Sequence, residues 1–213
     1  MIKAIIFDMD GLIVDSEPLQ CYCYTTTLKK FGVELSDKNF YKYFTTQGLD
    51  VHKYVKQEKI DLDTNMVYQE KKKLYKKILK EKARLFPGVS QTIRLLKQKF
   101  ELGLATSSSK MAVNIVLGSN NLKKYFSTIV TAEQISKDKP DPEIFLTASN
   151  DLNIDPKNCL VLEDAQKGIV AAHRAGMKSI AIPNKHTKNN DFSLATRVLS
   201  SIKEINYDLI NQL

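Results

Sequence analysis

Ile5-Ile6-Phe7-Asp8-Met9-Asp10-Gly11-Leu12-Ile13-Val14-Asp15 is the stretch whose reading decides the fold. Residues 4–7 form a short, continuous apolar run, the pattern of a strand buried on both faces. Two carboxylates follow, two residues apart. In an extended chain residues i and i+2 point to the same side, so Asp8 and Asp10 are expected to face one ligand. Gly11 then lets the backbone turn sharply away. Adjacent acids repel and cost desolvation, so a fold that keeps them usually holds a cation or uses them chemically. A lone Asp-x-Asp-Gly is more often a solvated turn, and the rest of the chain has to decide.

Outward from that stretch, Phe86-Pro87-Gly88 is the clearest break in the chain. Beyond it, Val89, Ile93, Leu96 and Phe100 recur at helical spacing. Strand-like runs at 102–105, 128–131, 160–162 and 179–182 then alternate with helices. Alternation of this kind predicts a parallel, Rossmann-like α/β sheet flanked by helices, whose ligand crevice lies at the carboxyl ends of the strands. Three of these runs lead into chemically useful groups. Thr106-Ser107-Ser108-Ser109 offers hydroxyls and backbone N–H groups for phosphoryl oxygens, although alone it is equally an ordinary Ser helix cap. Lys139-Pro140-Asp141-Pro142-Glu143-Ile144-Phe145 fixes a lysine just ahead of a helix that Asp141 caps and Pro142 opens. Glu163-Asp164-Ala165 puts two acids after a buried run, suited to a hard cation or simply to a helix N-terminus.

Taken in order, the Asp-x-Asp-Gly turn, Ala105-Thr106-Ser107-Ser108, the Lys139–Phe145 phrase and Leu162-Glu163-Asp164-Ala165 with Gly168 and Gly176 resemble the four motifs of the haloacid dehalogenase-like hydrolase superfamily. The likeness is greatest to its phosphatase and β-phosphoglucomutase branch. That resemblance implies Asp8 as a nucleophile forming an aspartyl-phosphate and Asp10 as general acid and base. It implies Thr106 and Lys139, with Ser107 and Ser108, as phosphoryl-binding groups. Mg²⁺ is expected on the side chains of Asp8 and Asp164 and the backbone carbonyl of Asp10, with Glu163 as a further ligand or as support for one.

The block at 16–85 shows helical patterning and no convincing strand, and resembles the inserted cap domain of this branch; the core is then expected at 1–15 and 86–213. Ser16 is expected to cap a first helix, with Pro18 in its first turn and Gly32 at its stop. Leu19, Tyr22, Cys23, Thr26 and Thr27 keep its helical spacing. A long helix is expected over 63–82, with Met66, Tyr68, Leu74, Tyr75, Ile78 and Leu79 inward and Lys71, Lys72, Lys73, Lys76 and Lys77 outward. Within the cap, Gln20, Gly48, Leu49, Asp50 and Lys53 are the candidate substrate contacts. Gln20 stands where a His is common in the branch, and Gly48-Leu49-Asp50-Val51 lacks the Arg that follows the corresponding Gly in the mutase. Hydrolysis of a small phosphorylated metabolite is therefore favoured over a phosphoglucomutase-type interconversion. A catalytically silent binding module is disfavoured, because every chemical position is filled.

At 213 residues the chain can bury one sizeable core plus a smaller insert. No apolar run approaches the 18 or so residues of a membrane span. The first residues lead straight into the acid-bearing strand rather than a signal peptide. Cys21, Cys23 and Cys159 lack metal-type spacing and read as reduced thiols of a cytoplasmic protein. His52, His173 and His186 show no ligand spacing either. The net charge of +8, from 32 basic against 24 acidic residues, raises nucleic acid as a partner. The excess is almost entirely Lys interspersed with acids, and Arg, the better phosphate and base reader, occurs only at 84, 94, 174 and 197. A solvated surface that draws anionic metabolites is expected instead, on a monomer with no nucleic-acid or membrane partner.

Overall fold

The computed structural model describes Met1–Leu213 and divides into two compact units, Met1–Asp15 with Arg84–Leu213, and Ser16–Ala83. In chain order, strand β1 is Ala4–Phe7, every residue of it buried. The chain then enters the helical unit. Its helices are α1 (Glu17–Lys30), α2 (Asp37–Phe40, continuing as a wider π turn through Thr46), α3 (Val51–Gln57) and α4 (Thr64–Lys82). Returning to the first unit, the elements are α5 (Val89–Leu96), β2 (Glu101–Ala105), α6 (Lys110–Ser119), β3 (Thr128–Val130) and α7 (Glu143–Asp151). There follow β4 (Cys159–Glu163), α8 (Gln166–Arg174), β5 (Lys178–Ala181), β6 (Arg197–Val198) and α9 (Tyr207–Asn211).

The sheet is parallel throughout, in the order β3-β2-β1-β4-β5-β6. β1 lies at the centre with β2 on one side and β4 on the other, so the winding reverses beside it. In doubly wound sheets the ligand crevice opens at that reversal, outside the carboxyl ends. The register pairs Phe7 with Leu162, and the Asp8 N–H donates to the Leu162 carbonyl at 2.9 Å. Asp8 and Glu163 therefore emerge side by side. Beneath them, Ile6, Ala105, Val130, Val161, Phe145, Ala148 and Ala172 form one buried apolar cluster. β6 is a two-residue, exposed edge, too short to leave a periodic signal.

The two crossings between units are tied to each other within the first. Val14 and Leu85 form an antiparallel bridge, the Asp15 N–H donates to the Arg84 carbonyl, and the Phe86 N–H donates to the Ile13 carbonyl.

The helical unit has a core of its own, in which Cys21, Leu28, Phe40, Val51, Tyr54 and Val67 are buried. Phe40 stacks on Phe44 at 5.3 Å between centroids. α4 begins at the Asp63 carboxylate, which accepts from the Asn65 and Met66 N–H groups, and Gly32 ends the first helix region at φ +78°. Several expectations need correction here. Ser16 precedes α1, but its side chain makes no cap bond; the residue is itself in helical conformation and buried. Tyr22 faces outward and Cys21 inward. On α4, Val67 is buried while Met66 and Tyr68 are exposed, a shift of one position around the helix. Lys71 is not a solvated outer charge; its ammonium sits over the rings of Tyr24 and Tyr75 at 4.5 and 4.7 Å.

Candidate active site

The site is built from strand ends. Asp8 follows β1 directly and is buried. Lys139 comes from the loop before α7 and reaches back into the sheet, its side chain only 2 % exposed. Its ammonium donates to Asp8 Oδ1 at 2.5 Å, to Glu163 Oε1 at 2.9 Å and to the Ala105 carbonyl at 3.3 Å. One cation thus ties the ends of β1, β4 and β2 together and fills all three of its donor positions. Phe145 packs under the same ammonium at 4.9 Å.

Carboxylate oxygens of Asp8, Glu163 and Asp164 lie within 4.8 Å of one another, all three residues buried. Burial pushes the Asp8 carboxyl up to about 7, with Lys139 opposing and the charges of Glu163 and Asp10 adding to the rise. Burial pulls the Lys139 ammonium down, but the charges and hydrogen bonds of Asp8 and Glu163 outweigh it, so the lysine stays protonated. One ammonium among four acids leaves an excess of negative charge whose burial is penalised. An all-oxygen donor set carrying that excess fits a hard divalent cation.

The remaining expected groups are placed as follows. The Asp10 carboxylate is not in the three-acid cluster; its Oδ2 accepts from the Thr106 hydroxyl at 3.3 Å. Asp8 and Asp10 have different hydrogen-bond partners, Lys139 for the first and Thr106 for the second, and the charge of Asp10 still acts on Asp8. Glu163 Oε2 accepts from the Ala165 N–H at 2.7 Å, so both its oxygens are already bonded, which marks it as the holder of Lys139. Ser107 bonds the Asp138 carboxylate, which also accepts from the Lys139 N–H. The Ser108 N–H donates to the Thr106 hydroxyl, and Ser109 caps α6. Asp141 accepts from the Glu143 N–H, but α7 begins one residue later than expected, at Glu143 with Pro142 in the cap position. Gln20, Gly48 and Asp50 belong to the helical unit. Asp50 caps α3 by accepting from the Lys53 N–H at 2.8 Å, and Gly48 turns the chain at φ +66°.

Sequence reasoning missed four residues that hold the site. Asp138 joins the Thr106–Ser109 turn to the Lys139 loop. Glu143 accepts from the Ser136 N–H and hydroxyl and from the Lys137 N–H, clasping that loop. Asn184 and Thr187, beyond β5, both donate to Asp164 Oδ2. They follow the strand-like run at 179–182, whose carboxyl end belongs to the crevice side of the sheet, but nothing in the composition of that turn singles them out. Gly168, on α8, sits so close to Glu163 that a Cβ there would overlap its carboxylate.

The family profile described as haloacid dehalogenase-like hydrolase matches residues 5–182. The chain belongs to that family. Within it, the chain is 33% identical over 184 residues to the phosphorylated carbohydrates phosphatase of Thermotoga maritima, covering 84% of this chain and 83% of that protein. It is 32% identical over 211 residues to hexitol phosphatase B of Escherichia coli K12, covering 96% and 94%. Among solved structures, CbbY from Rhodobacter sphaeroides in complex with phosphate superposes with a TM-score of 0.87 at 25% identity, over 96% of both chains. The protein is an enzyme of the phosphatase kind these curated relatives represent.

Proposed function

We propose that the protein is a Mg²⁺-dependent phosphatase of small phosphorylated carbohydrates, sugar or sugar-alcohol monoesters, acting through an aspartyl-phosphate on Asp8. The observation that carries this reading is the single buried ammonium of Lys139 gripping Asp8 beside Glu163 and Asp164 at the reversal point of the sheet. The two phosphatases named above give the substrate class.

Lys139 fixes Asp8 Oδ1, leaving Oδ2 to attack phosphorus in line. As the Asp8–phosphorus bond forms, the bond to the sugar oxygen breaks and Asp10 gives that oxygen its proton. Asp10 then takes a proton from water; the water oxygen bonds phosphorus, the Asp8–phosphorus bond breaks and inorganic phosphate leaves. The Thr106 hydroxyl, already bonded to Asp10, orients that carboxyl for both transfers. Ser107 and Ser108, with Thr106 and Lys139 each exchanging one present acceptor for the substrate, would hold the phosphoryl oxygens, where charge is spread during transfer. Asp8, Asp164 and the Asp10 carbonyl would hold Mg²⁺, which supplies the positive charge that lets an anionic carboxylate meet an anionic phosphate. The helical unit serves as the cap that selects the substrate, with Gln20, Gly48 and Asp50 as its candidate contacts. The buried, free thiols of Cys21, Cys23 and Cys159 fit a reducing, cytoplasmic setting.

A panel of hexitol phosphates, hexose 6-phosphates, β-glucose 1-phosphate, phosphoglycolate and pseudouridine 5′-phosphate, assayed for inorganic phosphate with Mg²⁺ or with EDTA, tests the reading. Release from the sugar and hexitol esters, abolished by EDTA, is expected. Conversion of β-glucose 1-phosphate to glucose 6-phosphate without phosphate release would replace it with the mutase.

A further inference from the structure

Asp164 is held from behind by a loop that no catalytic motif includes. Beyond β5 the chain runs Pro183-Asn184-Lys185-His186-Thr187. The Asn184 amide donates from Nδ2 to Asp164 Oδ2 at 2.8 Å and to the Gly11 carbonyl at 3.0 Å. Its Oδ1 accepts from the His186 N–H at 2.7 Å. The partners decide which way the amide points: a backbone N–H can only donate, while a carboxylate and a carbonyl can only accept. Thr187, itself buried, accepts from the Asn184 N–H at 3.0 Å, and its hydroxyl donates to Asp164 Oδ2 at 3.3 Å. The hydroxyl rotor is therefore fixed as well.

Two further observations show that the arrangement is built rather than incidental. Gly11 has φ +85°, and a Cβ there would overlap both the Asp164 carboxylate and the Asn184 amide. The turn after the two aspartates, the β4 carboxylate and the β5 loop are thus packed to contact. The loop is also laced to the start of α8, two residues past Asp164. The Gln166 N–H donates to Asn190 Oδ1 at 3.0 Å, and the Asp191 N–H to Gln166 Oε1 at 3.4 Å.

We propose that Asn184 and Thr187 are positioning residues for the divalent-cation site, setting the orientation of the Asp164 carboxylate and locking it to the Asp8–Gly11 turn. The proposal rests on the metal-dependent reading above. Groups that orient a ligand carboxylate commonly set metal affinity within a factor of about 10–100. Asparagine is required because its one amide supplies donors to two acceptors and an acceptor to a third group. Aspartate at 184 keeps the shape but sets a carboxylate against Asp164 and the Gly11 carbonyl. Valine at 187 keeps the bulk and deletes one donor.

Mn²⁺ binding to the full chain, without substrate, followed by the loss of the free-ion electron paramagnetic resonance signal, tests this directly. Asn184→Asp is expected to weaken Mn²⁺ binding on the order of 100-fold and Thr187→Val about 10-fold, with added Mg²⁺ raising the turnover of both toward the parental rate. The melting temperature of metal-free Thr187→Val serves as the fold control and keeps the test open if Asn184→Asp fails to fold. A parent that binds Mn²⁺ while folded Thr187→Val and Asn184→Asp bind it within twofold as well overturns this proposal alone. A parent that binds no Mn²⁺ overturns the metal-dependent reading and this proposal with it.

Discussion

In the sheet unit the buried polar and charged residues include Asp8, Thr106, Lys139, Glu163, Asp164 and Thr187; in Ser16–Ala83 they are Ser16 and Thr27. The helical unit buries rings and aliphatic chains, and its carboxylates at Asp50 and Asp63 do the ordinary work of capping helices at the surface. The sheet unit takes charge out of water and has to satisfy every atom of it. Burying an ion without its partner costs several kcal/mol, so each acid here is gripped: Asp8 and Glu163 by Lys139, Asp10 by Thr106, Asp164 by Asn184 and Thr187. One unit is organised by packing, the other by a reaction. Substitutions in the two should therefore fail in different ways.

The largest effect is expected at Asp8. Asp8→Asn should reduce kcat on the order of 10⁴-fold or more, the scale seen when a nucleophile is removed. Its melting temperature should hold, because an amide is cheaper to bury than a carboxylate. Turnover near the parental rate would remove Asp8 from the nucleophile role. Lys139→Ala comes next. Losing its positioned charge should cost about 10²–10³ in rate. Leaving Asp8 and Glu163 buried without their cation should cost about 3–5 kcal/mol by denaturant titration. A variant slowed but equally stable would show that the sheet unit does not depend on that charge, and would blur the contrast between the units.

Gly168→Ala sharpens the comparison at smaller scale. In an exposed helix interior this change gains about 1 kcal/mol. Here the methyl would overlap the Glu163 carboxylate, so a net loss of about 1–3 kcal/mol is expected, with reduced activity as Glu163 releases Lys139. The smallest effect is expected in the helical unit. Asp50→Ala should cost about 1 kcal/mol through loss of the α3 cap, and Asp50→Asn, an equally good cap, should restore it. A KM that moves with Asp50→Asn at constant melting temperature would assign Asp50 to the substrate as well.

The same contrast explains what could be read from the chain before its structure was in hand. Asp8, Lys139 and Asp164 were legible only together: each alone has a bland reading as turn, loop or helix start, but their motifs in this order resemble those of one family, and the sheet rule brings such strand ends together. Asn184 and Thr187 were not, since Pro183-Asn184-Lys185-His186-Thr187 has the composition of any solvated turn. Only the closure of β5 beside β4 presses it against Asp164. In the helical unit the pattern showed helices but placed Met66 and Tyr68 inward where Val67 is buried. With apolar residues so sparse on a Lys-rich helix, a rotation of one position is poorly determined. Ser16 misled for another reason: a hydroxyl in the cap position does not oblige the backbone to present it.

The tie between the two crossings has a consequence for how such a molecule can be remade. Ile13 and Phe86, and Asp15 and Arg84, are already hydrogen-bonded as neighbouring antiparallel partners, so the cut ends left by excising the helices lie side by side and a tight hairpin turn of the Asn-Gly type would splice them. The sheet unit could thus be closed on itself, or given a different insert, without its buried charges being rewired: both ends of the break are already joined within it.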